Sequence, residues 1–517
     1  MPSLTFWTFA AENPAHLAVV DPVENQVPAG ELLAAANQLA HGLRGLGLRE
    51  GDTVSIVLPN CVELLEVYFA AAQIGLYLVL VNWHQVAEEV GYIIEDAGSA
   101  AVIGHERFAD TCRAAATWLD FPATRLFGVG GVAGFRDYTE LKTGQPITPP
   151  SDRTAGMVMH YTSGTTGHPK GVRRALPRVP PEDDSLEWAR LLRLFDLEPG
   201  NGNVAICGSP LYHTAVLAHA RSSLHWGHPV VLMDKWTPER MLELAERYRA
   251  THTHMVPTQF QRLLALPDDV KCRYDTSSWR HVIHGAAPCP PATKRRMIEW
   301  WGPVIDEYYA ATEGGGTRVF AGEWLRKPGT VGRAWPGSEV RILDDDGAGL
   351  GAGKIGTIYM IAPQGELIYH KDEEKTAASR RGRFFTVGDV GYLDEDGYLF
   401  LCDRKIDMII SGGENIYPAE IENVIVSHPA VVDVAVFGIP DEEWGEEVKA
   451  VIELAPSFRA TDSLADDILS FCRERLARYK LPRTIDFSES LPRDPNGKLR
   501  KRKLRDPYWA GRERATG

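Results

Sequence analysis

The stretch from Tyr161 to Val172, Tyr-Thr-Ser-Gly-Thr-Thr-Gly-His-Pro-Lys-Gly-Val, constrains this chain more than any other. Before it, Gly156–Tyr161 has the apolar character of a buried strand. Then come Thr162, Ser163, Gly164, Thr165, Thr166, Gly167 and Lys170. A loop of this make-up can wrap a polyphosphate: glycines let backbone N–H groups approach, hydroxyls donate hydrogen bonds, and an ammonium supplies charge. It is not a Walker A loop, because Gly167-His168-Pro169-Lys170 lacks the Gly-Lys-Ser/Thr ending. Half of this run would pass for a plain turn between strands. The full run is too specific for that.

A length of 517 residues exceeds one ordinary core, so at least two domains are expected. The net charge of -14 argues against a general nucleic-acid binder, whose footprint would be basic. It leaves anionic small ligands open, since local lysines and arginines decide those. Seven cysteines are scattered without a C-x-x-C, which fits a reducing cytosol better than a disulfide framework or a zinc ribbon. The start, Met1–Trp7, has no basic region followed by an apolar core, so no signal peptide is expected. The longest apolar stretch, Val67–Val81, is broken by Gln73 and Gly75 and falls short of the roughly 20 residues of a membrane span. It reads as a helix end, a turn and a buried strand Leu76–Val81, and the protein is expected to be soluble and cytoplasmic.

From Pro28 to about Ile103 the apolar stripe Leu32–Leu43, the strand-like Val54–Leu58, the helical Val62–Ala72 and Leu76–Val81 alternate. This is βα alternation and predicts a parallel sheet covered by helices. Gly128–Gly134 loosely fits a dinucleotide fingerprint, but no amphipathic helix opens there and it is read as a loop. Thr237-Pro238-Glu239 starts a helix with Met241, Leu242, Leu244, Ala245 and Tyr248 on its apolar side. Between Gly329 and Cys402 short strands and Gly/Asp turns suggest a β-rich subdomain. The remainder holds strands at Val432–Phe437 and Val448–Leu454 and a helix stripe from Leu464 to Tyr479. The fold class is therefore α/β: a large N-terminal domain, 1–402, of βα-layered subdomains plus a β-rich one, and a small α+β C-terminal domain, 403–517.

Several stretches, in order, resemble the adenylate-forming (ANL) superfamily and its acyl-CoA synthetase branch. Thr162–Gly171 resembles its signature loop, and Pro210-Leu211-Tyr212-His213 its Pro-x-aromatic-His. Gly285-Ala286-Ala287-Pro288 is similar to its adenine turn, and Tyr309-Ala310-Ala311-Thr312-Glu313 to its Tyr-Gly-x-Thr-Glu. Thr386-Val387-Gly388-Asp389 resembles Thr-Gly-Asp, and Asp403–Pro418 is close to the hinge consensus, with Ile406 where Lys or Asp is usual. Pro492–Lys498 resembles the C-terminal Pro-x-x-x-x-Gly-Lys.

The resemblance implies an ATP-dependent acyl-CoA ligase using Mg²⁺ and coenzyme A. Thr165, Lys170, His213, Glu313 and Lys498 are the implied catalytic residues, with Glu313 on the metal. Thr162, Ser163, Gly164, Thr166, Gly167, Gly285, Ala286, Ala287, Tyr309, Thr312, Asp389 and Arg404 would hold the nucleotide. Gly412 and Gly413 would face the pantetheine arm, and Tyr212, Ala310 and Ala311 the acid. The acid itself is not readable from the motifs; the elaborate Arg173–Pro199 segment, as a cap over a bulky hydrophobic acid, favours a medium- or long-chain fatty acid, with an aromatic or polycyclic acid as runner-up. A homodimer is kept open. Three alternatives stand beside this: an adenylating enzyme with another acceptor, a non-catalytic nucleotide-binding module, and a P-loop ATPase, which the missing Gly-Lys-Ser/Thr disfavours. Ordinary explanations exist for each residue singly, such as a packed His213, a solvated Glu313 or one more cation of the basic tail at Lys498.

Overall fold

A computed structural model of the protein describes residues 5–162, 169–184, 190–311, 314–361, 368–494 and 498–510. They pack into two compact units, one of Met1–Met255, Pro267–Ile283 and Gln364–Ala378, the other of Val256–Leu266, His284–Pro363 and Ser379–Gly517.

The first unit holds the βα alternation. One sheet is parallel throughout, in the order Arg136–Asp137, Leu126–Val129, Ser99–His105, Thr53–Val57, Tyr77–Leu80 and Met157–Val158. Thr53–Val57 is buried at every residue, as a strand covered on both faces must be; its polar Thr53 and Ser55 are buried too, and the Ser55 hydroxyl lies 2.6 Å from that of Ser99 on the neighbouring strand. The helices Ala29–Gly45 and Val62–Gln73 bury Leu32, Leu39, Leu43, Leu65 and Phe69 in its core. A second sheet pairs Leu17–Val20, Val230–Leu232, Ala205–Cys207 and His252–Met255 in parallel, with Gln26–Pro28 antiparallel at its edge. Of the 128–134 cluster read as a loop, Gly128 and Val129 end the strand Leu126–Val129 and Gly130–Gly134 form the loop after it.

The stretch before the glycine-rich loop is two short strands rather than one. Met157–Val158 ends the parallel sheet, while His160–Thr162 pairs antiparallel with Lys170–Arg173. The loop therefore joins two strands of a hairpin, with Lys170 directly opposite Thr162.

A row of three buried imidazoles also lies in this unit. His228 Nδ1 is 3.1 Å from His252 Nε2, and His252 Nδ1 is 2.8 Å from His219 Nε2. His228 Nε2 is 2.8 Å from the carbonyl oxygen of Glu198. Burial pushes all three below the ordinary histidine value, His219 to about 3 and His228 to about 4.

In the second unit, Ile305–Ala311 pairs antiparallel with Gly314–Val319. A β-rich sheet contains Val340–Leu343, Gly356–Met360, Phe384–Phe385, Asp389–Leu393 and Leu399–Arg404. Another sheet is built on the long pair Val431–Asp441 and Gly445–Leu454, with Ile409–Ser411, Glu414–Ile416 and Thr484–Ser488 beside it. The helix read up to Tyr479 ends earlier, at Arg473. Leu476 lies beyond it and Tyr479 is exposed, so the apolar spacing outlived the backbone conformation.

Candidate active site

Asp389 and Arg404 are brought together by a turn and a bulge. Between the strands Asp389–Leu393 and Leu399–Arg404, the Asp394 carboxylate accepts hydrogen bonds from the backbone N–H of Asp396 (3.0 Å) and Tyr398 (2.9 Å). A short polar side chain folding back on its own backbone fixes such a turn, and the turn fixes register. A bulge between Val390 and Gly391 then shifts that register by one residue, so Asp389 stands opposite Arg404, with Arg404 Nε 3.3 Å from Asp389 Oδ1. Tyr309, on the strand Ile305–Ala311, donates its hydroxyl to Asp389 Oδ2 at 2.6 Å. Both carboxylate oxygens are thus engaged, one by a phenol and one by a guanidinium.

Lys498 joins the same group. Its N–H donates to Asp494 Oδ1 and its carbonyl accepts from the Asp494 N–H, both at 2.9 Å. Bidentate contacts from the preceding Arg493 to Asp433, each 2.6 Å, tie Asp494 and Lys498 to the long strand pair. Burial and the Arg404 charge hold the Lys498 ammonium below its ordinary value, while Asp494, Asp389 and Asp407 pull it back up. Residues from four separated motifs, Tyr309, Asp389, Arg404 and Lys498, therefore share one electrostatic neighbourhood. A carboxylate suits a vicinal diol as a two-point acceptor, and two cations beside it suit a phosphate.

The Gly285–Pro288 turn follows the strand His281–His284. Ala286 has φ 67°, a left-handed conformation that costs a non-glycine residue free energy. A Cβ on Gly285 would lie 2.9 Å from both the ring and the carbonyl oxygen of Tyr308. Ala310 and Ala311 flank a β-bulge and are half-buried. Thr312 and Glu313, and with them the expected metal carboxylate, lie outside the described residues. Among the described residues no three His, Cys, Asp or Glu side chains are grouped to hold a metal.

Gly412 and Gly413 close a two-residue hairpin between Ile409–Ser411 and Glu414–Ile416, with φ 60° and 84°. Tight hairpins of this kind need left-handed residues at both positions, so the pair has a backbone reason apart from any ligand. A Cβ on Gly412 would also meet the Trp444 ring at 2.5 Å.

In the first unit, Lys170 Nζ lies 2.9 Å from Asp372 Oδ2, and that hydrogen bond raises its ammonium above the ordinary lysine value. The Thr162 strand position is described, while Ser163, Gly164, Thr165, Thr166 and Gly167 lie outside the described residues. His213 caps the helix Thr214–His225. Burial, then the neighbouring His84, His160 and His254, push it well below the ordinary histidine value, so it is neutral and can donate a hydrogen bond but not a charge. Tyr212 is buried, with its hydroxyl 3.1 Å from His84 Nδ1.

Three contributors were not singled out from the sequence. Asp372 holds Lys170, and His84 holds Tyr212. Asn60 pins the Pro210–His213 turn, accepting from Leu211 N (2.8 Å) and donating to the carbonyls of Ser209 and Met233 (3.0 Å each). Asn60 lies three residues past the end of the buried strand Thr53–Val57, just after Pro59, a position that could have marked it; Asp372 carries no local signal.

Residues 6–370 match the model of the AMP-binding enzymes, and residues 420–498 that of the AMP-binding enzyme C-terminal domain. The chain belongs to the AMP-binding enzymes. Within that superfamily it lies in the acyl-CoA synthetase branch, and it is an AMP-forming ligase. It is 33% identical to the long-chain-fatty-acid–CoA ligase FadD13 of Mycobacterium tuberculosis, with 97% of each chain covered. It is also 33% identical to a feruloyl-CoA synthase of an Amycolatopsis species, with 92% of each covered. The solved amide bond synthetase McbA from Marinactinospora thermotolerans matches with a TM-score of 0.84 and 27% identity, over 98% of this chain and 100% of that one. The α/β architecture with a β-rich part agrees with this membership. No described helix is long and apolar enough to cross a membrane.

Proposed function

We propose that this AMP-binding enzyme joins a medium- or long-chain fatty acid to coenzyme A through an acyl-adenylate. The observation that carries the reading is the grouping of Tyr309, Asp389, Arg404 and Lys498, each from a separate motif, in one unit. In the first step a carboxylate oxygen attacks the α-phosphorus of ATP and the bond to the bridging oxygen breaks, releasing pyrophosphate. Lys498 neutralises charge that builds on the phosphates, Asp389 accepts from the ribose hydroxyls, and the Gly285–Pro288 turn receives the adenine. Lys170 and its loop also serve the phosphates; positioning and electrostatics do the work. Magnesium, when bound on Glu313, supplies further phosphate neutralisation.

In the second step the CoA sulfur attacks the acyl carbonyl carbon, AMP leaves and the thiol proton is released. In this reading residues from 403 onward form the mobile domain and swing about Ile406, taking Lys498 away and presenting Gly412 and Gly413. FadD13, a long-chain-fatty-acid–CoA ligase, supports the aliphatic acid and the CoA acceptor. The feruloyl-CoA synthase and the amide bond synthetase keep an aromatic acid and a different acceptor as the competing outcomes.

The test is pyrophosphate release with ATP and Mg²⁺ against a panel of aliphatic and aromatic acids, each with and without CoA. Sustained turnover only with CoA, giving a thioester of an aliphatic acid, is the expected result. Turnover with aromatic acids alone, or release indifferent to CoA, rejects the acid or the acceptor respectively.

A further inference from the structure

A buried charged cluster lies behind the Gly285–Pro288 turn and has no part in the steps above. Lys294, on the helix Pro291–Trp301, is 0% exposed, and its Nζ lies 2.7 Å from Oε2 of Glu307, which is 6% exposed. The fully buried His284, the residue just before the turn, has Nε2 3.5 Å from the same oxygen. The Lys294 ammonium also sits 4.9 Å from the centre of the Trp324 ring, and Phe260 meets the His284 ring edge-on at 5.2 Å. Burial raises the Glu307 carboxyl and Lys294 draws it back.

Stability alone does not call for such a pair. Desolvating two charges costs about what their attraction returns, and well-packed apolar side chains of the same volume often do as well or better. What a buried ion pair adds is direction: one bond length and one angle between the elements it joins. Here it joins the helix that follows the turn to the strand Ile305–Ala311, while His284 brings in the strand that precedes it. The two-residue period of a strand puts Glu307 on one face with Tyr309, whose hydroxyl holds Asp389 at 2.6 Å. The turn between these elements has no slack, with Ala286 at φ 67° and Gly285 against the Tyr308 ring.

We infer that Lys294 and Glu307 are a positioning pair for the purine end of the nucleotide, setting the spacing between the Gly285–Pro288 turn and the strand carrying Tyr309. The inference rests on the reading that this turn receives adenine.

Two variants test it, Lys294→Met/Glu307→Leu, which replaces the pair by apolar side chains of similar size, and Glu307→Gln, which keeps the shape. In the folded enzyme the first should raise the KM for ATP about tenfold and the second about threefold. Neither should move the KM for the acid or for CoA by more than about twofold, nor kcat at saturating ATP. A merely structural pair would lower the melting temperature and leave the KM for ATP alone, or raise all three KM values together; either result overturns the inference. If the apolar variant does not fold, Glu307→Gln is judged by the same criterion. Equilibrium binding of AMP to Ala287→Leu, at a partly exposed turn position, separates the two levels. Lost binding there supports the adenine reading whatever the pair does, and wild-type binding removes that reading and the inference with it.

Discussion

The two lysines assigned to the phosphates are held in opposite ways. Lys170 stands on a hairpin strand with its charge answered by Asp372 at 2.9 Å, which raises its ammonium. Lys498 sits beside Arg404 in a buried setting that lowers its ammonium, with three carboxylates only partly offsetting this. Lys170 is satisfied before any ligand arrives and must exchange a partner to serve a phosphate. Lys498 is under-compensated, and an incoming polyanion improves its surroundings. Stabilisation that appears only as charge develops accelerates a reaction, whereas a contact already made does not. Under the proposed function, the difference would give Lys498 the transition-state role and Lys170 a binding role, and that contrast is open to test.

The strongest way to break this contrast is Lys498→Ala. It should lower acid-dependent pyrophosphate release about a thousandfold, in the range of losing one transition-state contact or more. Thioester formation from pre-made acyl-adenylate should stay within about threefold. Equal loss in both half-reactions, in folded protein, would remove the distinction. Next in size, Asp389→Asn should raise the KM for ATP about tenfold, because an amide offers one acceptor oxygen where the carboxylate offers two. An unchanged KM would detach Asp389 from the nucleotide.

Asp372→Asn sharpens the other half. If the Asp372 contact must be given up on binding, its removal should lower the KM for ATP by about two- to threefold, the scale of a partly exposed ion pair. A rise instead would make Asp372 the holder that aims Lys170. The smallest effect is on stability. The folded state depresses the Lys498 ammonium, so its charged form opposes folding below the folded value, and the penalty fades as pH rises to the unfolded lysine value near 10.4. Lys498→Met should thus raise the melting temperature at pH 7 by about 1–3 °C. The gain should shrink in scans at pH 9 and 10; a constant gain would exclude the charge as its source.

The sequence was readable where chemistry and backbone agreed. Asp389 and Arg404 were each expected at the nucleotide from a separate motif, and the Asp394 turn that starts their strand pairing is itself a local signal, while the bulge that sets them opposite one another is not. Apolar runs such as Leu76–Val81, whose strand Tyr77–Leu80 is buried throughout, declared a doubly covered parallel sheet. What escaped depends on contacts between remote segments. Nothing near Lys170 points to Asp372, and nothing near Lys294 says that a lysine three residues into a helix will be fully buried against Glu307. The apolar spacing through Leu476 and Tyr479 misplaced a helix end, because spacing reports which side chains seek the core and not where hydrogen bonding stops. The two glycines at 412 and 413 were read for a ligand, yet the hairpin requires them first.

The buried row of imidazoles from Glu198 to His219 has a polarity. The Glu198 carbonyl can only accept, so the ring nitrogen facing it at 2.8 Å, His228 Nε2, carries the hydrogen. Neutral His228 then accepts at Nδ1 from His252 Nε2, and His252 accepts at Nδ1 from His219 Nε2. One carbonyl oxygen therefore dictates the tautomer of all three rings, like the first tile deciding which way a line of them can fall. Reversing any ring alone would set two lone pairs, or two hydrogens, face to face. The row has only two self-consistent settings, and the backbone at Glu198 has already chosen between them.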